Sequence, residues 1–292
     1  MTLPAARRES RSEYVDVRGL RHHVQHWGRE GAPRVIMLHG WMDVGASFQF
    51  LVDALAGDWH VIAPDWRGFG GTSWAAQGYW FADYVADLDA LLERYSPGSP
   101  ARLVGHSLGG NVVMLYAGIR PRRVSRVVSL EGFGVKQGDA GEAVGRFRDW
   151  LDGLRDPPRF STYPTLDAVA DRLQRNSPRL TRERALFLAA HWAEPGSDSV
   201  WRLNADPAHK LPFPSVYRFE EALAIWRCIE APALWVVATD SYIPGWLGDG
   251  EIERRRALLA DCRLVTIRDA GHMMHLEQPE RVAAVVEPFL AG

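Results

Sequence analysis

The sequence Ala101-Arg102-Leu103-Val104-Gly105-His106-Ser107-Leu108-Gly109-Gly110 joins an apolar segment to a glycine-rich turn with a serine at its apex. The apolar residues before Gly105 predict a buried strand, and the apolar run 111–117 predicts a helix directly after the turn. The spacing G-x-S-x-G places a serine hydroxyl on a strained strand-to-helix turn above the edge of a sheet. Gly105 and Gly109 have no Cβ, so strand and helix can pass close to each other around Ser107. This stretch therefore predicts a nucleophilic serine.

Strands and helices alternate along most of the chain on both sides of this turn. Further apolar strand patterns occur at 34–38, 61–63, 124–130, 233–238 and 263–267. Helical patterns separate them, as expected for a mostly parallel sheet with helices on both faces and right-handed crossovers. The fold class that we predict is therefore α/β.

The alternation stops at about residue 136 and resumes at about residue 224. The intervening segment is rich in Arg, Pro and Trp and contains helical patterns at 144–154, 166–175 and 182–192. We therefore predict an α/β core formed by residues 13–135 and 225–292, with a helical cap inserted as residues 136–224. Residues 1–12 are predicted to be a disordered tail.

The composition of the chain indicates which classes of partner and which cellular compartment to expect. The 292 residues are 47% hydrophobic and 24% charged, with a formal net charge of −2, as in an ordinary globular protein. The sequence lacks the excess of basic residues that is typical of proteins that bind nucleic acids or membrane surfaces. No apolar segment has the length of a membrane span. We see no secretory signal, and the two cysteines fit a reducing compartment. We expect a cytoplasmic protein that acts on a small molecule, and its oligomeric state stays open.

A serine hydroxyl needs a neighbouring base, and the base needs a third group that orients it. His272 follows the predicted strand 263–267, and Asp240 follows the strand 233–238. The order Ser, acid, His along the chain is the order expected for this arrangement. Glu131, directly after the strand 124–130, is a second candidate for the acid. All of these positions follow the carboxyl ends of parallel strands, which meet at one edge of the sheet.

Four motifs together give the chain a resemblance to a known family. From about residue 14 to about residue 290 it resembles the α/β-hydrolase superfamily, in particular serine hydrolases with a helical cap. The motifs are His39-Gly40-Trp41, Asp65-Trp66-Arg67-Gly68-Phe69-Gly70-Gly71-Thr72-Ser73, Gly105-His106-Ser107-Leu108-Gly109-Gly110, and Gly271-His272 followed by Glu277-Gln278-Pro279-Glu280. The resemblance implies that Ser107 is the nucleophile and His272 the base. It also implies that the backbone N–H groups of Trp41 and Leu108 form the oxyanion hole.

The resemblance leaves two carboxylates open as the triad acid. Asp240 has the common family position, and Pro244 after it also matches, although Val237 stands where a glycine is usual. Glu131 has the position of the acid in haloalkane dehalogenase relatives. The serine nucleophile argues against dehalogenase and epoxide hydrolase chemistry. We favour Asp240 and keep Glu131 as the alternative.

The expected reaction is the hydrolysis of an ester-like bond in a small or medium, largely apolar substrate through an acyl-enzyme. The resemblance predicts neither a cofactor nor a metal ion for this chemistry. The alternatives on the same fold are a C–C bond hydrolase, a perhydrolase, a cofactor-free lyase or oxygenase, and a ligand-sensing module that turns over slowly. Among the other histidines, we expect His39 and His106 to be buried supports and His275 to be a surface or support residue. We expect His22 and His26 to lie on a solvated strand face.

Overall fold

A computed structural model describes residues 8–292, which form an eight-stranded sheet covered by helices on both faces. The strand order is β1-β2-β4-β3-β5-β6-β9-β10; β2 is antiparallel to both of its neighbours, and all pairs from β4 to β10 are parallel. The predicted α/β fold class is confirmed. The strands are β1 (Ser10–Val17), β2 (Leu20–Trp27), β3 (Arg34–Leu38), β4 (His60–Pro64), β5 (Ala101–His106), β6 (Val124–Leu130), β7 (Ala193–Pro195), β8 (Trp201–Leu203), β9 (Ala233–Ala238) and β10 (Cys262–Ile267).

The helices follow the predicted alternation, with short 3₁₀ turns between some of the elements. They are α1 (Gln49–Ala54), α2 (Phe81–Tyr95), α3 (Leu108–Ile119), α4 (Ala143–Arg155), α5 (Leu166–Asn176), α6 (Arg182–Trp192), α7 (Phe219–Trp226), α8 (Ile243–Leu247), α9 (Glu251–Arg256), α10 (Met274–Glu277) and α11 (Pro279–Ala291). No helix among residues 8–292 combines the length and the apolar character that a bilayer span requires.

The central strands are apolar on both faces because each face has its own core. Adjacent residues on a strand point to opposite sides, so Leu103 of β5 packs with the core under α2, α3 and α7, whereas Val104 packs with the core under α1 and α11. Both side chains are completely buried. Burial on both faces is what makes the strand before Ser107 a continuous apolar run.

Two predicted boundaries differ from the structure. The predicted disordered tail covered residues 1–12, of which residues 1–7 lie outside the described residues. Residues 10–12 belong to β1, because their backbone pairs with that of β2. The cap boundary predicted at residue 224 cuts through α7. Phe219 and Trp226 are buried in the core of the sheet, so this helix belongs to the core and not to the cap.

The helices predicted in the cap are present as α4, α5 and α6, with a small hairpin of β7 and β8 after them. The segment 204–209 joins this cap to the core loop 68–79. The N–H of Gly70 donates to Asn204 O at 2.7 Å, and the hydroxyl of Tyr79 donates to Asp206 Oδ2 at 2.7 Å. The ring of His209 is stacked between the rings of Phe69 and Tyr79.

Most of the histidines of this protein are buried, including some that were expected to be exposed. The solvated face predicted for His22 and His26 is wrong, because α2 covers it; the Tyr95 ring of α2 lies 5.5 Å from that of His26. Burial lowers the pKa of His26 to about 4 and that of His209 to about 3. Burial is also the main cause of a lowered pKa at His22, His39, His60 and His106.

Replacement of Gly118 by Ala should destabilise the protein. A Cβ at this position would overlap the carbonyl oxygen of Ile225, so α3 and α7 could not keep their separation. We expect the free energy of unfolding to fall by about 1–3 kcal/mol, as for other overpacked sites. Gly145→Ala in α4 is the matched control, because its Cβ would meet no atom within 4 Å. It should stabilise by roughly 0.5–1 kcal/mol through the helix propensity of Ala. Urea unfolding measures the free energy of unfolding of both variants, and equal changes in the two would contradict the packing argument.

Stability should fall as the pH falls below about 6.5, the ordinary pKa of histidine. Six histidines, at positions 22, 26, 39, 60, 106 and 209, have lowered pKa values in the folded state, so below this pH the unfolded state binds more protons and is favoured. Urea midpoints at pH 7.5 and 5.5 isolate this effect, because carboxylates titrate below that window. His209→Gln should show a smaller difference between the two midpoints than the wild type. An unchanged difference would mean that His209 does not contribute.

Candidate active site

Ser107 lies at the sharp turn between β5 and α3 that the sequence predicted. Its backbone has φ 50° and ψ −110°, a conformation that residues other than glycine rarely adopt. Its N–H donates to Leu130 O at 2.8 Å, which ties the turn to β6. A Cβ at Gly105 would overlap Gly109 O, and one at Gly109 would overlap Leu38 O. The close approach of the backbones therefore requires both glycines.

His272 lies after β10 and has a buried carboxylate beside its ring. Its Nδ1 is 3.3 Å from Oε2 of Glu131, whose side chain is inaccessible to solvent. Glu131 Oε1 accepts the N–H of Ala238 at 2.7 Å, and Oε2 accepts the hydroxyl of Ser241. These donors fix the carboxylate and satisfy its buried oxygens. Of the two candidate acids, Glu131 is the one that the structure brings to His272.

Asp240, the acid that the sequence favoured, is not beside His272. Its side chain is exposed and forms an ion pair with Arg179 of the cap, in the loop between α5 and α6. The physical reason lies at the end of β9, where the amide of Ala238 and the hydroxyl of Ser241 point toward Glu131, whereas the Asp240 side chain points outward to Arg179. Two signals in the sequence favoured Glu131, namely Val237 in place of the usual glycine and the Gly-Phe-Gly turn that follows Glu131.

The two residues predicted for the oxyanion hole flank the serine turn. Leu108 is the first residue of α3, and the amides of a first helical turn have no acceptor within the helix. Trp41 follows Gly40, where a Cβ would lie 3.3 Å from that of Ser107, so this loop runs directly against the nucleophile. His39 fixes the loop, because its Nδ1–H donates to Gly40 O at 2.7 Å. Its Nε2 accepts the N–H of Trp66 at 2.8 Å.

A cavity of about 410 Å³ opens between the core and the cap. It reaches the predicted oxyanion hole at Trp41 and Leu108, whereas Ser107 and His272 do not line it, so the cavity lies beside the nucleophile. Aromatic and aliphatic side chains form most of its wall, and Asp206 and His209 are polar exceptions. The apolar lining residues include Tyr79, Trp80, Phe81, Tyr84, Trp150, Leu154, Leu211 and Phe213.

The rings of His106 and His275 lie close to each other, and that of His106 also lies close to the ring of His272. The Nε2–H of His106 donates to His272 O at 2.9 Å, which agrees with the support role predicted for His106. His275 is completely buried and lies beside Asp43, so a surface position for it is wrong. The structure thus places a second polar group of side chains next to the predicted triad.

Known proteins resemble this chain over most of its length. Residues 35–285 match the model of a family described as "Alpha/beta hydrolase family". The chain is 38% identical over 331 residues to Epoxide hydrolase A of Mycobacterium tuberculosis, covering 95% of this chain and 96% of that one. It is 31% identical over 279 residues to 3-hydroxybutyrate-oligomer hydrolase of Cupriavidus necator, covering 91% of each chain.

The fold also agrees with a solved structure, the thioesterase domain from the curacin biosynthetic pathway. The TM-score is 0.85 at 21% identity, over 96% of this chain and 99% of that domain. The resemblance predicted from the four motifs is therefore confirmed, and this chain belongs to the alpha/beta hydrolase family.

Proposed function

We propose that this protein is a serine hydrolase that cleaves an ester-like bond through an acyl-enzyme on Ser107. The observation that carries the proposal is the buried carboxylate of Glu131, held 3.3 Å from Nδ1 of His272 beside the strained Ser107 turn. A nucleophile, a base and an orienting acid at one sheet edge are the components that acyl transfer requires. We assign the acid to Glu131 rather than to Asp240.

Each group has a definite task in this mechanism. Glu131 accepts the Nδ1–H of His272, which leaves Nε2 free to take the Ser107 proton as the serine oxygen attacks the substrate carbonyl. The N–H groups of Leu108 and Trp41 bind the oxyanion, and one such donor is typically worth about 3 kcal/mol. His272 then protonates the leaving group. Water, activated by the same histidine, releases the acid and regenerates Ser107.

The two relatives are named for different reactions, and the chemistry of a serine nucleophile favours one of these reactions for this chain. A serine oxygen that opens an epoxide would form an ether, which water does not hydrolyse, so Ser107 is unsuited to the reaction for which Epoxide hydrolase A is named. The same serine acting on a carboxylic ester forms an acyl-enzyme that water hydrolyses. The name of the 3-hydroxybutyrate-oligomer hydrolase supports this reaction type. The largely apolar cavity supports a substrate with a small or medium hydrophobic group.

Ser107→Ala should abolish turnover of p-nitrophenyl butyrate, with a fall of roughly four to six orders of magnitude, because triad members act as a unit. A fluorophosphonate probe should label the wild type once and the variant not at all. Ser73→Ala is the matched control, since Ser73 is an exposed serine outside the site, and it should keep both properties. Labelling that persists in Ser107→Ala would overturn the assignment of the nucleophile.

Glu131→Gln should lower kcat by about 10⁴, as in serine proteases whose orienting carboxylate is replaced by an amide. An amide NH₂ directed at Nδ1 of His272 would select the tautomer in which Nε2 carries the proton and cannot act as a base. Asp240→Asn is the matched control, and its kcat should stay within about tenfold of the wild type. Its urea midpoint should change little, because an exposed ion pair contributes about 0–1 kcal/mol. The reverse pattern of kcat losses would make Asp240 the acid.

A further inference from the structure

Asp43, His106 and His275 form a buried group of side chains that the proposed hydrolysis does not use, which we call the Asp–His–His cluster. One potential ligand atom of each residue lies within 4.8 Å of those of the other two. Their exposed fractions are 2%, 1% and 0%. Within residues 8–292, Asp43 Oδ2, His106 Nδ1 and both ring nitrogens of His275 have no hydrogen-bond partner. Buried polar atoms are almost always paired. Asp43 Oδ2 and His275 Nε2 face each other but are too far apart for a hydrogen bond, and Nδ1 of both histidines has no partner among the described residues, so the group lacks a partner that would bridge these atoms.

The surrounding contacts in the described part of the chain leave one potential ligand atom without a hydrogen bond on His106 and one on Asp43. His106 donates its Nε2–H to His272 O at 2.9 Å, so the proton is on Nε2 and Nδ1 has a free lone pair. Asp43 Oδ1 accepts the indole N–H of Trp192 at 3.1 Å, which leaves Oδ2 facing His275 Nε2 at 3.8 Å. Histidines that bind metals commonly donate their other ring N–H to a backbone carbonyl, which is the arrangement at His106.

We propose that the Asp–His–His cluster binds one divalent transition-metal ion, for which Zn²⁺ is the best match. Two imidazoles and one carboxylate suit Zn²⁺, whereas Mg²⁺ and Ca²⁺ prefer oxygen ligands alone. Zn–N and Zn–O bonds of about 2.0–2.2 Å place tetrahedral ligand atoms roughly 3.4 Å apart. The spread of 4.8 Å therefore closes by small movements of side chains. The cation would balance the charge of Asp43, which has no ion pair with a Lys or Arg side chain among residues 8–292.

This proposal does not depend on the proposed hydrolysis, and its test does not use activity, because Zn²⁺ could also bind the imidazole of His272. The His272→Ala variant removes that competing ligand and leaves the cluster intact. Wild type and His272→Ala are refolded from urea with excess ZnCl₂, which gives the ion access to a buried site, and are then separated from free metal by gel filtration. Elemental analysis should find one zinc per chain in both.

His275→Gln and Asp43→Asn should bind Zn²⁺ at least about tenfold more weakly than the wild type, because each lacks one ligand. His191→Gln is the matched control, a histidine of α6 outside the cluster, and should retain one zinc. Co²⁺ in place of Zn²⁺ should give the visible absorption of a four-coordinate ion in His272→Ala, and His275→Gln should lack it. Circular dichroism checks that each variant is folded.

If His275→Gln or Asp43→Asn does not fold, the thermal unfolding midpoint of His272→Ala with and without ZnCl₂ tests the proposal instead. Because Zn²⁺ would bind the folded state, this midpoint should rise as the ZnCl₂ concentration rises above the Kd. Two results would overturn the proposal. One is the absence of stoichiometric zinc in His272→Ala together with an unchanged thermal midpoint. The other is full retention of zinc in a folded His275→Gln variant, which would locate the ion elsewhere.

Discussion

The candidate active site depends on the close approach of backbones around Ser107. The turn holds a serine at φ 50° because Gly105, Gly109 and Gly40 leave no side-chain atoms between β5, α3 and the loop after β3. The strain of such a residue persists only where the surroundings over-determine it. Here β5 lies between β3 and β6, so the loops that carry Trp41 and Glu131 flank the serine on both sides. Three adjacent strands therefore bring together the proposed nucleophile, the proposed oxyanion loop and the proposed acid.

The two carboxylates after β6 and β9 differ in their surroundings, and this difference separates their roles. Glu131 is enclosed, and it accepts the Ala238 amide and the Ser241 hydroxyl from the neighbouring strand end. A buried carboxylate needs such donors for its oxygens, and in the proposed acyl transfer this carboxylate would orient His272. Asp240 is solvated and pairs with Arg179, so it connects the core to the cap.

The sequence was most informative where structure depends on neighbours along the chain. The strand-turn-helix around Ser107 and the helices α4, α5 and α6 follow from local spacing and apolar period, which a sequence displays directly. Which carboxylate lies beside His272 could not be predicted in this way, because it depends on which side chain the loop after β9 turns inward. The burial of His22 was missed for the same reason, since α2, about 60 residues later, covers it. Long-range packing overrode the expectation of a solvated face.

The attachment of the cap to the core is uneven, and this affects the cavity beside Ser107. The segment 204–209 is fixed by backbone hydrogen bonds and by His209 between two aromatic rings. In contrast, α4 has no buried side chain, although Trp150 and Leu154 form part of the cavity wall. Regions with few buried apolar contacts open at a lower free-energy cost than the core of a domain. The size of the group that the cavity accepts therefore depends more on the position of α4 than on the anchored segment opposite it.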